Sequence, residues 1–168
     1  EEGIEHEISG RHRHDQNGRI ERAMQAVGIP YRSMMIQGYC PDSVTPDCLR
    51  HANVIRNNSP TKANGGRTPN ERAAGMKLPL NQRLLKGPFG CLVFSHVYEA
   101  ERAKHAARGI ACVYLGCDDV NNTYKVMEWA SGRTYYTADL TFHPSVFPFR
   151  ANPARTPDWL QQYDVYAP

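Results

Sequence analysis

The chain lacks several features that would settle its class at once. No run approaches the eighteen apolar residues of a membrane span, so an integral membrane protein is not expected. No large excess of one charge is present: 20 Lys and Arg stand against 17 Asp and Glu, a formal net charge of +3. That balance permits nucleic-acid contact without arguing for it, because a dedicated binder usually carries a strong basic stripe. The 5 cysteines include no CxxC pair, and without close ligand pairs a four-ligand structural zinc is not expected. The acidic start, EEGIEHEISG, reads as neither a secretory nor a transit peptide. Apolar residues make up only 40% of the 168 and the mean hydropathy is −0.60. For a globule of this size that is low, and it suggests that part of the chain is irregular or held by a partner.

What is present concentrates between Phe89 and Phe142. Three runs rich in β-branched and aromatic residues, IACVYLGC, TYKVMEW and TYYTADLTF, are separated by the turn clusters DDVNN and ASGR. Such residues fit a pleated, half-buried surface, and Asn, Asp, Gly and Ser punctuate it. The reading is a three-strand antiparallel meander, with FGCLVFSHV as a fourth strand. Alternation puts Tyr124 and Val126, with Glu128 in phase, on one face and Lys125, Met127 and Trp129 on the other. Short strands in so few residues suit a small barrel or sandwich.

Before this module the pattern is helical. Ile20, Ala23, Met24 and Val27 recur at helical spacing. Gly28 and Pro30 then cost a helix interior about 1 and 3 kcal/mol relative to Ala, so the helix is expected to end or kink near Val27 and restart at Tyr31. Thr45 as cap, Pro46 at the first helical position and Asp47 mark a second helix. Its apolar stripe reads Cys48, Leu49, Ala52, Ile55, to about Asn57. Thr68, Pro69 and Glu71 form a capping box, with Gly75 as the stop. Residues 58–67 read as a loop and 76–88 as a connector. After the module, the tail from Pro144 carries five prolines with Phe147, Phe149, Trp159, Tyr163 and Tyr166. It cannot be regular along its length. Aromatics on an extended segment suggest an arm laid over a surface, its own or a partner's.

The order of these pieces resembles the integrase of copia-type LTR retrotransposons. The resemblance is carried by GIEHEIS (3–9), DQNGRIER (15–22), RSMM (32–35), NNSPTKA (57–63), GRTPNE (66–71), FGC (89–91), YLGCDD (114–119) and YKV (124–126). It implies an α+β chain in three parts. Residues 1–88 would be a helical region from the end of a ribonuclease-H-like core. Residues 89–143 would be a small antiparallel SH3-like β barrel, and 144–168 an irregular Pro/aromatic arm.

In that chemistry three carboxylates hold two divalent metal ions that activate the attacking oxygen and stabilise charge at phosphorus. By the resemblance Glu21 takes the third-carboxylate position, with Asn17 preceding it. The motifs of the first two catalytic Asp are not found in the sequence, and Glu1, Glu2, Glu5 and Glu7 do not sit in motifs that replace them. One carboxylate does not hold two Mg²⁺ ions, so no cofactor is expected unless a complete site exists upstream. Gly28, Pro30, Ala23, Met24 and Thr45 also depart from the family's pattern around Glu21.

The expectation is a non-catalytic, integrase-derived accessory subunit that binds protein partners in a larger complex, by way of Phe147, Phe149, Trp159, Tyr163 and Tyr166. One alternative is a piece of an active metal-dependent DNA strand-transfer enzyme. Another is a nucleic-acid-binding module using Arg11, Arg13, Arg19, Arg22, Lys125 and Arg133 on phosphates, with Tyr135 and Tyr136 to stack on bases. Cysteines that pack as small hydrophobes point to a reducing intracellular compartment. A working integrase would be nuclear, and an organellar location stays open.

Overall fold

The structure is a computed structural model of the chain and describes residues 18–79, 86–97, 108–118 and 121–150. Among the described residues three α-helices are followed by five strands: α1 (Gly18–Gly38), α2 (Thr45–Asn57), α3 (Pro69–Ala74), then β1 (Leu92–His96), β2 (Gly109–Asp118), β3 (Thr123–Glu128), β4 (Thr134–Thr137) and β5 (Leu140–His143). No described helix is long and apolar enough to cross a membrane. The α+β class and the small antiparallel β module expected from the sequence are both present.

The helix does not end near Val27 and restart at Tyr31. α1 is assigned as one helix of 21 residues with Pro30 inside it. An apolar stripe runs along it through Ile20, Met24, Val27, Tyr31, Met34 and Met35, the spacing of one helix face. Its second half packs into the first core cluster, where Met34 and Met35 are buried and Val27 and Tyr31 lie against them. Burying a Met-sized side chain contributes about 1.5–3 kcal/mol, so this packing offsets the roughly 3 kcal/mol that Pro30 costs. The helix closes in a Schellman motif: Cys40 N–H donates to the Met35 carbonyl at 3.0 Å and Tyr39 N–H to that of Ile36 at 3.2 Å. Tyr39 occupies the left-handed position, φ 52°, usually glycine's. The Arg150 guanidinium lies over its ring, 5.1 Å from the centroid.

Two details of α2 also differ from the sequence reading. Thr45 is the first helical residue rather than the cap, because a 3₁₀ turn, Asp42–Val44, feeds directly into the helix. Leu49 is 41% exposed, whereas Cys48, His51 and Ala52 are buried. The inward stripe therefore runs Val44, Cys48, His51, Ala52, Ile55. α3 has the expected capping box. Glu71 N–H donates to Thr68 Oγ1 at 3.1 Å, and Thr68 N–H to Glu71 Oε2 at 2.9 Å. The loop before it contains a 3₁₀ turn, Lys62–Asn64.

The five strands form one antiparallel sheet in the order β4-β3-β2-β1-β5. The meander β2-β3-β4 is as read, but TYYTADLTF is two strands. Chain direction changes at Ala138–Asp139, and β5 pairs with β1 in the register Leu92↔His143 to Ser95↔Leu140. Sheet edges β4 and β5 are thus joined by two residues. Flat, they would lie roughly 19 Å apart at about 4.8 Å per strand, while three Cα steps reach at most about 11 Å. The sheet must curl. It is open in hydrogen bonding but curved in shape, and Phe142 of β5 meets the rings of Tyr114 and Tyr124 at 5.2 and 5.4 Å across the concave side.

That concave side holds one core cluster: Cys91, Val93, Cys112, Tyr114, Cys117, Tyr124 and Val126. The convex side holds the other, in which Val113, Leu115 and Phe89 pack with Met34, Met35, Cys48, Ala52 and Phe149. β2 is buried from Cys112 through Cys117 because both faces are covered. The face assignment of β3 holds, with Tyr124 and Val126 inward and Met127 against the helices. The helical region and the β module therefore share a core. All 5 cysteines are buried and reduced.

Candidate functional site

α2 lies across the convex face of β2 and β3, and the two leave a cleft of about 200 Å³ lined by Asp47, Arg50, His51, Val54, Leu115, Gly116, Cys117, Asp118, Lys125 and Tyr136. Helical spacing puts Asp47, Arg50 and His51 on the sheet-facing side of α2. Strand alternation puts Lys125 outward, opposite Tyr136 in the β3–β4 register.

Two polar contacts close the cleft. Lys125 Nζ donates to Asp47 Oδ1 at 2.6 Å, with side chains only 23% and 14% exposed. Arg50 Nη1 donates to the Tyr136 hydroxyl at 3.4 Å. The cations brought here are thus engaged within the chain. Asp118 accepts from the N–H and side-chain amide of Asn121 at 3.3 and 2.8 Å, which makes it a turn former.

The floor of the cleft depends on one glycine. β2 slips register between Tyr114 and Cys117 against β3, and Gly116 sits in this irregularity at φ 120°. A Cβ there would lie 3.1–3.3 Å from three atoms of His51. Only glycine lets α2 come this close. The His51 ring then stacks on Phe89, centroids 5.9 Å apart, and meets Tyr114 edge-on at 5.6 Å. Burial raises the pKa of the Tyr114 phenol well above its ordinary value, with Cys117 adding to the shift. Burial also pushes the Cys48 thiol up to about 12, reinforced by Asp47. A thiol so shifted is a poor nucleophile. The ion pair and the Arg50–Tyr136 contact make the cleft a polar clasp between helix and sheet.

Among the described residues, those singled out in the sequence do not gather in one place. Glu21 is exposed in the first turn of α1, and Arg22 beside it is exposed too. Arg19 lies within α1. Asn17, Arg11, Arg13, Trp159, Tyr163 and Tyr166 lie outside the described residues. Arg133 is exposed in the β3–β4 connection, its N–H donating to Ser131 Oγ at 3.2 Å. Of the proposed stacking tyrosines, Tyr136 is half-exposed. Tyr135 is instead a wall of the concave core, with its hydroxyl 3.3 Å from Cys112 Sγ. Burial raises its pKa, and the Cys112 contact adds to this. Phe147 and Phe149, read as partner contacts, pack against their own chain. Phe149 is fully buried and meets Trp129 at 5.5 Å. Leu92 N–H binds the Val146 carbonyl at 2.7 Å, which draws this part of the arm onto the sheet.

Among the described residues no three His, Cys, Asp or Glu side chains converge as a metal site would require. The Asp47–Lys125 and Arg50–Tyr136 contacts went unread in the sequence, since each joins residues about eighty positions apart. An isolated glycine in a strand run does signal a bulge or close approach, and Gly116 could have been flagged on that ground.

Residues 91–155 match the family model described as Retroviral polymerase SH3-like domain. Over 145 residues the chain is 25% identical to the Retrovirus-related Pol polyprotein from transposon TNT 1-94 of Nicotiana tabacum, a match covering 85% of this chain and 10% of that protein. The chain thus spans about a tenth of that relative's length. No solved structure matches it.

Proposed function

We propose that this copia-type retrotransposon integrase-region protein acts by binding rather than catalysis, as a non-catalytic accessory subunit of a larger assembly. The observation that carries this reading is the first half of α1. Its apolar stripe is buried at Met34 and Met35 and partly buried at Tyr31 and Val27, yet continues outward through Met24, 70% exposed, and Ile20, 61% exposed. A contiguous apolar surface left in water marks an interaction face. Glu21 stands beside that stripe in the first turn. The polar cleft supports the same reading, because its ionic groups hold the helix to the sheet. A strand-transfer assay with Mg²⁺ and a labelled DNA end, on the chain and on Glu21→Gln, tests this. The proposal expects product from neither, and product that disappears with Glu21→Gln would overturn it.

A second reading is supported by the similarity to a Pol polyprotein over most of the chain. In it, Glu21 is the third carboxylate of an active metal-dependent integrase whose other ligands come from elsewhere in that protein. Glu21→Gln in the complete protein would then abolish strand transfer, and retained activity would exclude this reading.

A further inference from the structure

Three Ser/Thr-Pro dipeptides fall among the described residues: Thr45-Pro46, Ser59-Pro60 and Thr68-Pro69. Thr45-Pro46 is inside α2, and Thr68 is tied into the capping box of α3. Ser59 differs from both. It lies just past the end of α2, and it alone has a basic residue three positions on, in Ser59-Pro60-Thr61-Lys62. Ser/Thr-Pro-x-Lys is the substrate pattern of proline-directed protein kinases, which take their substrates extended. Thr61 is extended at φ −127°, ψ 147°, and Pro60 and Lys62 are exposed; Ser59 itself is half-buried, so the kinase would take it as the end of α2 frays.

We propose that Ser59 is a phosphorylation site for a proline-directed protein kinase, and that the phosphate loosens the C-terminal end of α2. In the transfer, Ser59 Oγ forms a bond to the γ-phosphorus of a nucleoside triphosphate. The bond from that phosphorus to the bridging oxygen breaks, the nucleoside diphosphate leaves, and the hydroxyl proton is lost to a base of the kinase.

The structural consequence follows from what the hydroxyl does. Ser59 Oγ donates to the Ile55 carbonyl at 2.7 Å, and Ser59 N–H donates to that of Arg56 at 3.2 Å. These bonds join the Asn58 N–H in satisfying carbonyls of the last helical turn that have no partner within the helix. Phosphorylation removes the hydroxyl donor and sets close to two negative charges beside the negative end of the helix dipole, which is unfavourable. Relief lies nearby: Arg67 and Lys77 line a groove with Asn58 and Pro60. The Glu71 carboxylate in the same groove already accepts from the Thr68 and Leu78 N–H groups at 2.9 and 3.3 Å. The phosphate is expected to turn away from Ile55 towards the two cations, and Ile55 is one of the residues packed against the helix–sheet core.

This inference does not depend on the binding role proposed above. The test is incubation of the whole chain with a purified cyclin-dependent kinase and MgATP, read by intact mass and peptide mapping. A synthetic peptide of residues 57–63 runs alongside. Phosphate is expected within residues 57–63 of the wild type and of Thr68→Ala, none in that segment of Ser59→Ala, and slower incorporation there on Lys62→Ala. Hydrogen exchange at the Asn58 and Ser59 amides should then be faster in the phosphorylated chain. A modified peptide with an unmodified folded chain would show that the fold hides Ser59 and would overturn the proposal. An unmodified peptide, or undiminished incorporation into that segment of Ser59→Ala, would overturn it at the level of sequence. Unchanged exchange at Asn58 in the phosphorylated chain would overturn the loosening of α2.

Discussion

Replacing Gly116 by alanine should be among the most damaging single-methyl additions in the molecule. The new Cβ would lie 3.1 Å from His51 Nδ1, 3.2 Å from its Cβ and 3.3 Å from its Cγ. None of these is the far end of a flexible chain, and the ring is pinned by Phe89 and Tyr114. Overpacking of this kind costs about 1–3 kcal/mol. A non-glycine residue held at φ 120° adds strain of order 1–3 kcal/mol. The expected loss is therefore roughly 2–6 kcal/mol from a total that for native proteins is about 5–15 kcal/mol. Urea denaturation measures it as a lower midpoint at unchanged slope. A double-mutant cycle separates the two causes. His51→Ala removes the contacts with Nδ1 and Cγ but leaves the one with Cβ at 3.2 Å and the strain, so the double variant should be more stable than the sum of its parts by about 0.5–3 kcal/mol. A Gly116→Ala loss below about 1 kcal/mol would be smaller than overpacking alone and would refute the argument. So would strict additivity with His51→Ala.

The Asp47–Lys125 pair predicts that Lys125→Met destabilises by about 1–3 kcal/mol, the cost of leaving a half-buried partner unsatisfied. Adding Asp47→Leu should recover part of that loss, and thermal melts of both variants check it. Pro30→Ala should stabilise by up to about 3 kcal/mol, since it restores a helical hydrogen bond to α1; unchanged urea stability would mean the helix has already relaxed around the proline. Glu71 carries a pH prediction. The Thr68 backbone N–H, with the Leu78 N–H and Lys77 adding to it, holds the Glu71 carboxyl below the usual carboxylate range. Its contribution is therefore present above the unfolded carboxyl pKa and lost as pH falls through the lower folded one. Carboxyl NMR should show that lowered midpoint, and Glu71→Gln should remove the accompanying acid sensitivity of the Leu78 amide.

Local signals were the legible part of this fold. The capping box and the β2-β3-β4 meander were readable because each depends on residues a few positions apart. Pro30 misled because propensity is a local cost, whereas α1 is held by Met34 and Met35 packing on residues far along the chain. Leu49 looked like core on its own helix, but the sheet comes to the side that carries His51. The split in TYYTADLTF was hidden because Ala138-Asp139 is a weak turn signal, and what fixes β5 is the exposed edge of β1. The candidate cleft was the least legible feature. Lys125 and Tyr136 were named for their chemistry, while Arg50 and Asp47, which engage them, became visible only when α2 was laid on the sheet.

The pairing of β5 with β1 also sets a schedule for synthesis. Leu92 of β1 must wait for His143, 51 residues later. At about 5–20 residues per second the ribosome takes roughly 3–10 seconds to supply it. Through that interval β1 has one ladder at most, to β2, and its other edge is bare. Unprotected edges recruit other chains. Adjacent nascent copies on one messenger are thus most exposed to mispairing while residues 97–140 are being made, and slowed translation there should lower the soluble yield more than slowing anywhere in the helical half.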